Sequence, residues 1–216
     1  MQNSKIKLPS DRSPSVIDTD VICQGLGYVS KKSDQDGDET EEESAAARRF
    51  LLKTSQTLRL EFRQILKIDN LHVLTSLTRL FLDNNFIERV INSLKNHYFY
   101  NVTCLQISGL DQLQHLIWLD LSFNKIRKIE GLEALKKLEV LALFGNEIGK
   151  VEGLDHMADL KVLRLGRNKI AAKDEIIQLR RLPALRTLSI KENPFCSGMD
   201  WEGDWKRSFV FKNENE

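Results

Sequence analysis

Three cysteines and four histidines are the side chains best suited to nucleophilic attack or metal ligation, and neither set is spaced for it. Cys23, Cys104 and Cys196 are scattered and odd in number, which gives neither a disulfide framework nor a metal-type pair. His72, His97, His115 and His156 show no metal-ligand spacing with cysteine or carboxylate. No phosphate-cradling glycine loop, G-x-G-x-x-G or G-x-S-x-G pattern is present. The expectation is a protein that is not an enzyme, with no metal, no cofactor and no small-molecule substrate. The residues whose spacing does predict chemistry are amides: Asn85, Asn124, Asn146, Asn168 and Asn193, with 22 residues between the second and third and between the third and fourth. A primary amide both donates and accepts hydrogen bonds. Stacked in phase, such amides satisfy backbone groups that no strand ladder reaches.

The elements that must position those amides form a repeat, L-x-L-x-x-N-x-I-x-x-I-x-G-L. Its anchors are Leu58, Leu60, Ile65, Ile68 and Leu71; then Leu80, Leu82, Ile87 and Val90; then Leu119, Leu121, Ile126, Ile129 and Leu132. Leu141, Leu143, Ile148, Val151 and Leu154 follow, then Leu163, Leu165 and Ile170, with a partial unit at Leu188 and Ile190. Arg63 replaces asparagine in the first unit. The L-x-L segment is a short strand with both leucines turned inward, because side chains alternate across a strand. One unit cannot bury its apolar face alone, but a stack can. The fold predicted is an α/β solenoid of the leucine-rich-repeat kind, with short parallel strands on the concave face and a helical N-terminal cap. The glycines at 109, 131 and 153 recur with the repeat and read as turn residues.

Domain boundaries follow from where periodicity starts and stops. Residues 1–39 lack it, and Asp34 to Glu43 holds seven acidic side chains, so an unstructured acidic arm is expected. Within the arm, the apolar stretch Val16 to Leu26 is suited to docking locally or on a partner. Residues 40–57 read as a capping helix, with a capping-box pair at Thr40 and Glu43 and an apolar side of Ala45, Ala46, Ala47, Phe50, Leu51 and Leu52. The solenoid spans 58–195, with a helical turn expected from Lys173 to Leu182, and 196–216 is a tail, read as truncated. Trp201, Trp205, Phe209 and Phe211 there either cap the open end or form an unstructured remnant. The formal charge is +1 overall, but residues 1–44 carry 5 basic and 10 acidic groups. A mildly basic body therefore follows an acidic arm, which is either ordinary surface charge or a lure for an acidic partner. Met1 to Ser15 is polar, with no apolar run behind it, and no window has the roughly 18 apolar residues a bilayer span needs. A cytoplasmic protein without membrane contact is expected.

Asn85 and Asn124 stand 39 residues apart, which is 17 more than the repeat. Omitting Val90 to Gln106 aligns Asn85–Arg89 plus Ile107–Leu110 with Asn124–Leu132 position for position. The segment VINSLKNHYFYNVTCLQ is read either as an inserted loop or as the product of a retained intron.

Without catalytic chemistry, function falls to the surface. On the concave face the predicted protein-binding residues are Arg59 and Glu61, then Arg79, Phe81 and Asp83, then Trp118 and Asp120, then Phe144 and Arg164, with Ser122, Val140 and Ala142 among them. Exposed aromatics beside arginine are the usual make-up of interface hot spots. Phe81, Trp118 and Phe144 are expected to form one stripe, and Phe62 and Phe123 to be core residues.

Three stretches add a resemblance: LRLEFRQILKIDNL at 58–71, LIWLDLSFNKIRKIEGL at 116–132 and LRRLPALRTLSIKENP at 179–194. With PSVID at 14–18 and Arg63 in place of asparagine, they resemble the dynein regulatory complex subunit 3 family, the leucine-rich-repeat subunit of the nexin–dynein link in motile cilia and flagella. The resemblance covers roughly 14–26 and 50–194. It implies a scaffold of the axonemal cytoskeleton whose partners are other regulatory-complex subunits and axonemal microtubules, with nucleic acid disfavoured. That family lacks a counterpart to 90–106 and continues into a coiled-coil region. Competing readings are a soluble leucine-rich-repeat regulatory subunit of a phosphatase and a spliceosomal leucine-rich-repeat protein.

Overall fold

The computed structural model describes residues 15–17, 19–27, 41–68, 70–88 and 110–197. Its elements in chain order are β1 (Ser15–Val16), α1 (Thr19–Gly25), α2 (Glu41–Thr54), β2 (Thr57–Arg59), β3 (Ile65–Lys67), β4 (Arg79–Phe81), β5 (Trp118–Asp120), β6 (Val140–Ala142), β7 (Val162–Arg164), α3 (Asp174–Ile177) and β8 (Thr187–Ser189). Single turns of 3-10 helix lie at Leu71–Val73, Gln178–Arg181 and Pro194–Cys196. The fold is a leucine-rich-repeat solenoid.

Six strands form one parallel sheet in the order β2-β4-β5-β6-β7-β8. The register aligns Leu58, Leu80, Leu119, Leu141, Leu163 and Leu188 across it. Each coil also bonds its neighbour past the asparagine turn, as Phe86 N–H donates to Ile65 O at 2.8 Å and Lys169 N–H to Ile148 O at 2.8 Å. The convex side closes with leucines three apart. In successive coils these are Leu71, Leu74 and Leu77; Leu110, Leu113 and Leu116; Leu132, Leu135 and Leu138; Leu154, Met157 and Leu160; and Leu179, Leu182 and Leu185, all buried. Their one-turn bonds repeat, Leu113 N–H to Leu110 O and Leu135 N–H to Leu132 O both at 3.0 Å. Leu110 thus stands where Leu132 stands one coil later, and β4 pairs with β5 without a register shift. The segment 90–106 itself lies outside the described residues, as do the capping residue Thr40 and the four aromatics after residue 197.

The unstructured arm expected through residue 39 is corrected for residues 15–17 and 19–27, where the apolar stretch docks locally, one of its two expected uses. β1 pairs with β3, and Ile17, Ile22 and Cys23 are buried in the core. Gly25 explains how closely α1 sits: a Cβ there would lie 2.6 Å from Leu60 Cδ2 and 2.7 Å from Arg59 O. No larger residue fits so close to backbone. The apolar side expected of α2 is corrected too, because only Leu52 is buried while Phe50 is 71% exposed. Ile17, with Ile22 and Cys23 of α1 and Leu52 of α2, is buried in the core, and Val21 and Leu26 pack against it. The helical turn expected after Lys173 is present as α3 and the 3-10 turn behind it.

Candidate protein-binding surface

The repeat places three columns of side chains on the concave face. The first reads Thr57, Arg79, Trp118, Val140, Val162 and Thr187, and the second Arg59, Phe81, Asp120, Ala142, Arg164 and Ser189, both set by the strand register. The third, two residues farther along each coil, reads Glu61, Asp83, Ser122, Phe144, Gly166 and Lys191.

Aromatic and charged groups concentrate on the first three strands. The Phe81 and Trp118 rings pack with centroids 6.2 Å apart, and the Arg59 guanidinium sits 4.1 Å over Phe81. Arg59 also bonds Glu61 at 2.9 Å. Trp118 is half-buried, and its indole N–H is buried with no hydrogen-bond partner among the described residues. Next to this cluster lie two half-buried carboxylates. Burial raises the Asp83 carboxyl above its ordinary range; a bond from Asn84 opposes the rise, and Asp120 and Glu61 add to it. Asp120 Oδ1 accepts from Ser122 N–H at 2.9 Å. Arg79 and Arg164 are exposed.

The single stripe expected of Phe81, Trp118 and Phe144 is corrected. Phe144 stands in the third column and packs edge-on against Phe123, centroids 5.3 Å apart. It also lies over Gly166, where an added Cβ would meet its ring at 2.8 Å. Ala142 is fully buried and Ser122 nearly so, leaving the middle of the face shallow. Phe62 and Phe123 are not core residues: they are 76% and 44% exposed. They precede the asparagine position with φ of 56° and 53°, in the left-handed region, and that turn aims the side chain outward.

Behind these columns the asparagines are buried and bonded. Asn146 Oδ1 accepts from Ile126 N–H at 3.0 Å, and its Nδ2 donates to Leu121 O at 2.9 Å and Leu143 O at 3.1 Å. Asn124, Asn168 and Asn193 repeat the pattern one coil apart. Asn85 Oδ1 accepts from both Arg63 N–H and Ile65 N–H at 3.0 Å. Arg63 begins the column, where no coil precedes it, and reaches Gln24 of α1 at 3.0 Å instead.

One exposed set was not singled out in the sequence: Phe86, Lys125, Arg167 and Lys169 on the turns beside the asparagines. Reading the positions just before and after each asparagine down the stack would have found them. Among the described residues no group of three or more His, Cys, Asp or Glu could hold a metal, and no helix is long and apolar enough to cross a membrane. Burial holds the Cys23 and Cys196 thiols above their ordinary range, which disfavours the reactive thiolate.

A leucine-rich-repeat family model matches residues 108–211, just under half of the chain. Among solved structures, the crystal structure of an internalin from Listeria monocytogenes is similar, with 26% identity and a TM-score of 0.50. The match covers 63% of this chain and 34% of the internalin chain, so the chain spans about a third of that relative. In all, 252 chains of solved structures match, so the fold is widely shared and does not itself select a function. No curated protein matches the chain. Folds of this kind typically serve as protein-binding scaffolds rather than enzymes, and protein partners are what this one suggests.

Proposed function

We propose that the chain is a non-enzymatic scaffold subunit of the axonemal nexin–dynein regulatory complex, supporting the beating of cilia and flagella. The observation that carries the binding role is the Arg59–Phe81–Trp118 cluster, which offers packed aromatic area and a guanidinium on a rigid sheet. Such area is bound at little entropic cost, because the strands already fix it. The narrower axonemal reading rests on the resemblance at 58–71, 116–132 and 179–194 and on Arg63. On this reading the concave face holds neighbouring subunits between outer doublet microtubules, and Arg59, Glu61, Arg79, Phe81, Asp83, Trp118, Asp120, Phe144 and Arg164 are the contact positions.

A tagged copy expressed in ciliated cells tests it. Retention on salt-washed axonemes, with loss of the protein impairing beating but not cilium assembly, is the expected result. Recovery only from detergent-soluble cytoplasm, bound to a phosphatase catalytic subunit, would overturn the axonemal reading and leave the scaffold reading standing.

A further inference from the structure

The asparagine column forms the floor of an open groove of about 510 Å³, lined by Asn85, Asn124, Asn146 and Asn168 below and by Phe86, Phe123, Lys125, Gly145, Arg167 and Lys169 along its sides. One wall is the row before each asparagine, the other the row after it. At the Asn85 end the groove is apolar, with Phe86 40% and Phe123 44% exposed. Toward Asn168 it is cationic. The one carboxylate in these rows between Phe86 and Lys169, Glu147, is already bridged by Arg127 at 3.3 Å and Lys169 at 3.0 Å. Arg167 is exposed and has no ion pair among the described residues. It also holds a left-handed φ of 52° where Gly145, one coil earlier, shows that glycine serves.

We propose that this groove is a second docking surface, which takes an extended acidic segment of a partner protein carrying one bulky apolar side chain. The inference is independent of the concave-face reading. Charge complementarity selects the occupant: the apolar side chain sits at Phe86 and Phe123, and carboxylates meet Arg167 first, with Lys125 over Phe86 and Lys169 on its bridge to Glu147 adding positive charge beside it. Coils stack about 4.8 Å apart, so the three steps from Asn85 to Asn168 span roughly 14 Å, the length of about four extended residues. Single-stranded nucleic acid fits less well. It needs open ring faces for stacking, whereas Lys125 already lies 5.0 Å over the Phe86 ring and Phe123 rests against Gly145.

The test uses the full-length chain and a fluorescein-labelled peptide of glutamates flanking one phenylalanine, with the glutamine counterpart as control. The acidic peptide should bind and the control should not, and binding should weaken steeply as salt is raised. Arg167→Glu and Lys125→Glu, both on exposed side chains, should each weaken it by about tenfold, whereas Trp118→Ala should leave it unchanged. Equal binding of the control, or indifference to both charge reversals, overturns the proposal. Tighter, equally variant-sensitive binding of a single-stranded oligonucleotide also overturns it. So would stronger peptide binding once Asp34, Asp36, Asp38 and Glu39 are changed to their amides, because that chain segment would then be the occupant.

Discussion

The asparagine column and the middle column of the concave sheet lie four residues apart on each of five coils, with Arg63 in the asparagine position of the first coil, and the fold treats them in opposite ways. Asn85, Asn124, Asn146, Asn168 and Asn193 repeat one residue type and one bonding pattern, accepting from the preceding coil and donating to leucine carbonyls. The other column reads Arg59, Phe81, Asp120, Ala142, Arg164 and Ser189, with no two neighbours alike. The first position faces backbone groups that have no other partner, so only a side chain that donates and accepts fits there. The second, Ala142 excepted, is at least partly open to solvent on a scaffold that fixes its place. Uniform positions therefore carry stability, and varied ones are where a partner's identity can be encoded.

The sharpest way to break this comparison is Asn146→Ala. It leaves Ile126 N–H and the Leu121 and Leu143 carbonyls buried without their side-chain partner. The expected loss is roughly 1–3 kcal/mol in chemical denaturation. A variant as stable as the parent would mean that water replaces the amide and that the column is not what specifies the turn.

Trp118→Ala tests the other side. If the proposed axonemal role holds, retention on axonemes should fall by about tenfold or more, as when a central aromatic is removed from an interface, while the melting temperature changes less than for Asn146→Ala. Trp118→Phe sharpens the result. It keeps a ring against Phe81 and removes an indole N–H that is buried without a partner, so stability should hold or rise. A large fall in melting temperature with unchanged retention would make Trp118 a structural residue.

The two columns also differ in how far the sequence disclosed them. The leucine and asparagine spacings were enough to place the sheet register, because a 22-residue period has one solution that turns the strand leucines toward the core. The same spacing located the concave positions but not their neighbours, since packing between coils depends on side-chain direction. Phe144 leans onto Phe123 because Gly166 leaves room, a three-residue coincidence without a periodic signal. Phe62 and Phe123 read as a core spine because they stand immediately before the turn position, yet left-handed backbone there turns them out. The N-terminal cover was misplaced for a related reason. α2 carries more apolar residues, but Gly25 lets α1 approach the first coil, and closeness of approach is invisible to composition.

Phe62→Gly probes a position between the two extremes, where backbone shape is shared but residue type is free. Phe62, Asn84, Phe123, Gly145, Arg167 and Glu192 all hold positive φ, and one of them is glycine. Left-handed backbone costs an ordinary residue roughly 1–2 kcal/mol, and glycine gives back about 0.5–1 kcal/mol through the greater freedom of the unfolded chain. With the ring 76% exposed there is little packing to lose. The net expectation is a gain of up to about 1 kcal/mol by denaturant titration. A clear loss would show that Phe62 packs against something the fold needs.

Asp83→Asn should give the smallest effect, and its size depends on pH. Burial, with Asp120 and Glu61 nearby, raises the folded-state pKa of Asp83 above its unfolded value, although Asn84 bonds the carboxylate at 2.7 Å and pulls the other way. The fold therefore favours the protonated carboxyl. That contribution is fully present below the ordinary carboxylate range and is lost as pH rises through the raised folded value. The asparagine variant carries no such dependence, so it should be slightly more stable than the parent at neutral pH, and the gap should close as the medium is acidified past the carboxylate range. Other carboxylates titrate in both proteins, so the difference between the two stability curves is the quantity to read. Parallel curves at every pH would mean that Asp83 behaves as a solvated surface group, and that the crowding of Glu61, Asp83 and Asp120 is relieved in solution by side-chain motion. A gap that instead opened on acidification would mean the carboxylate is the form the fold prefers, held by Asn84 more strongly than burial and its acidic neighbours oppose it.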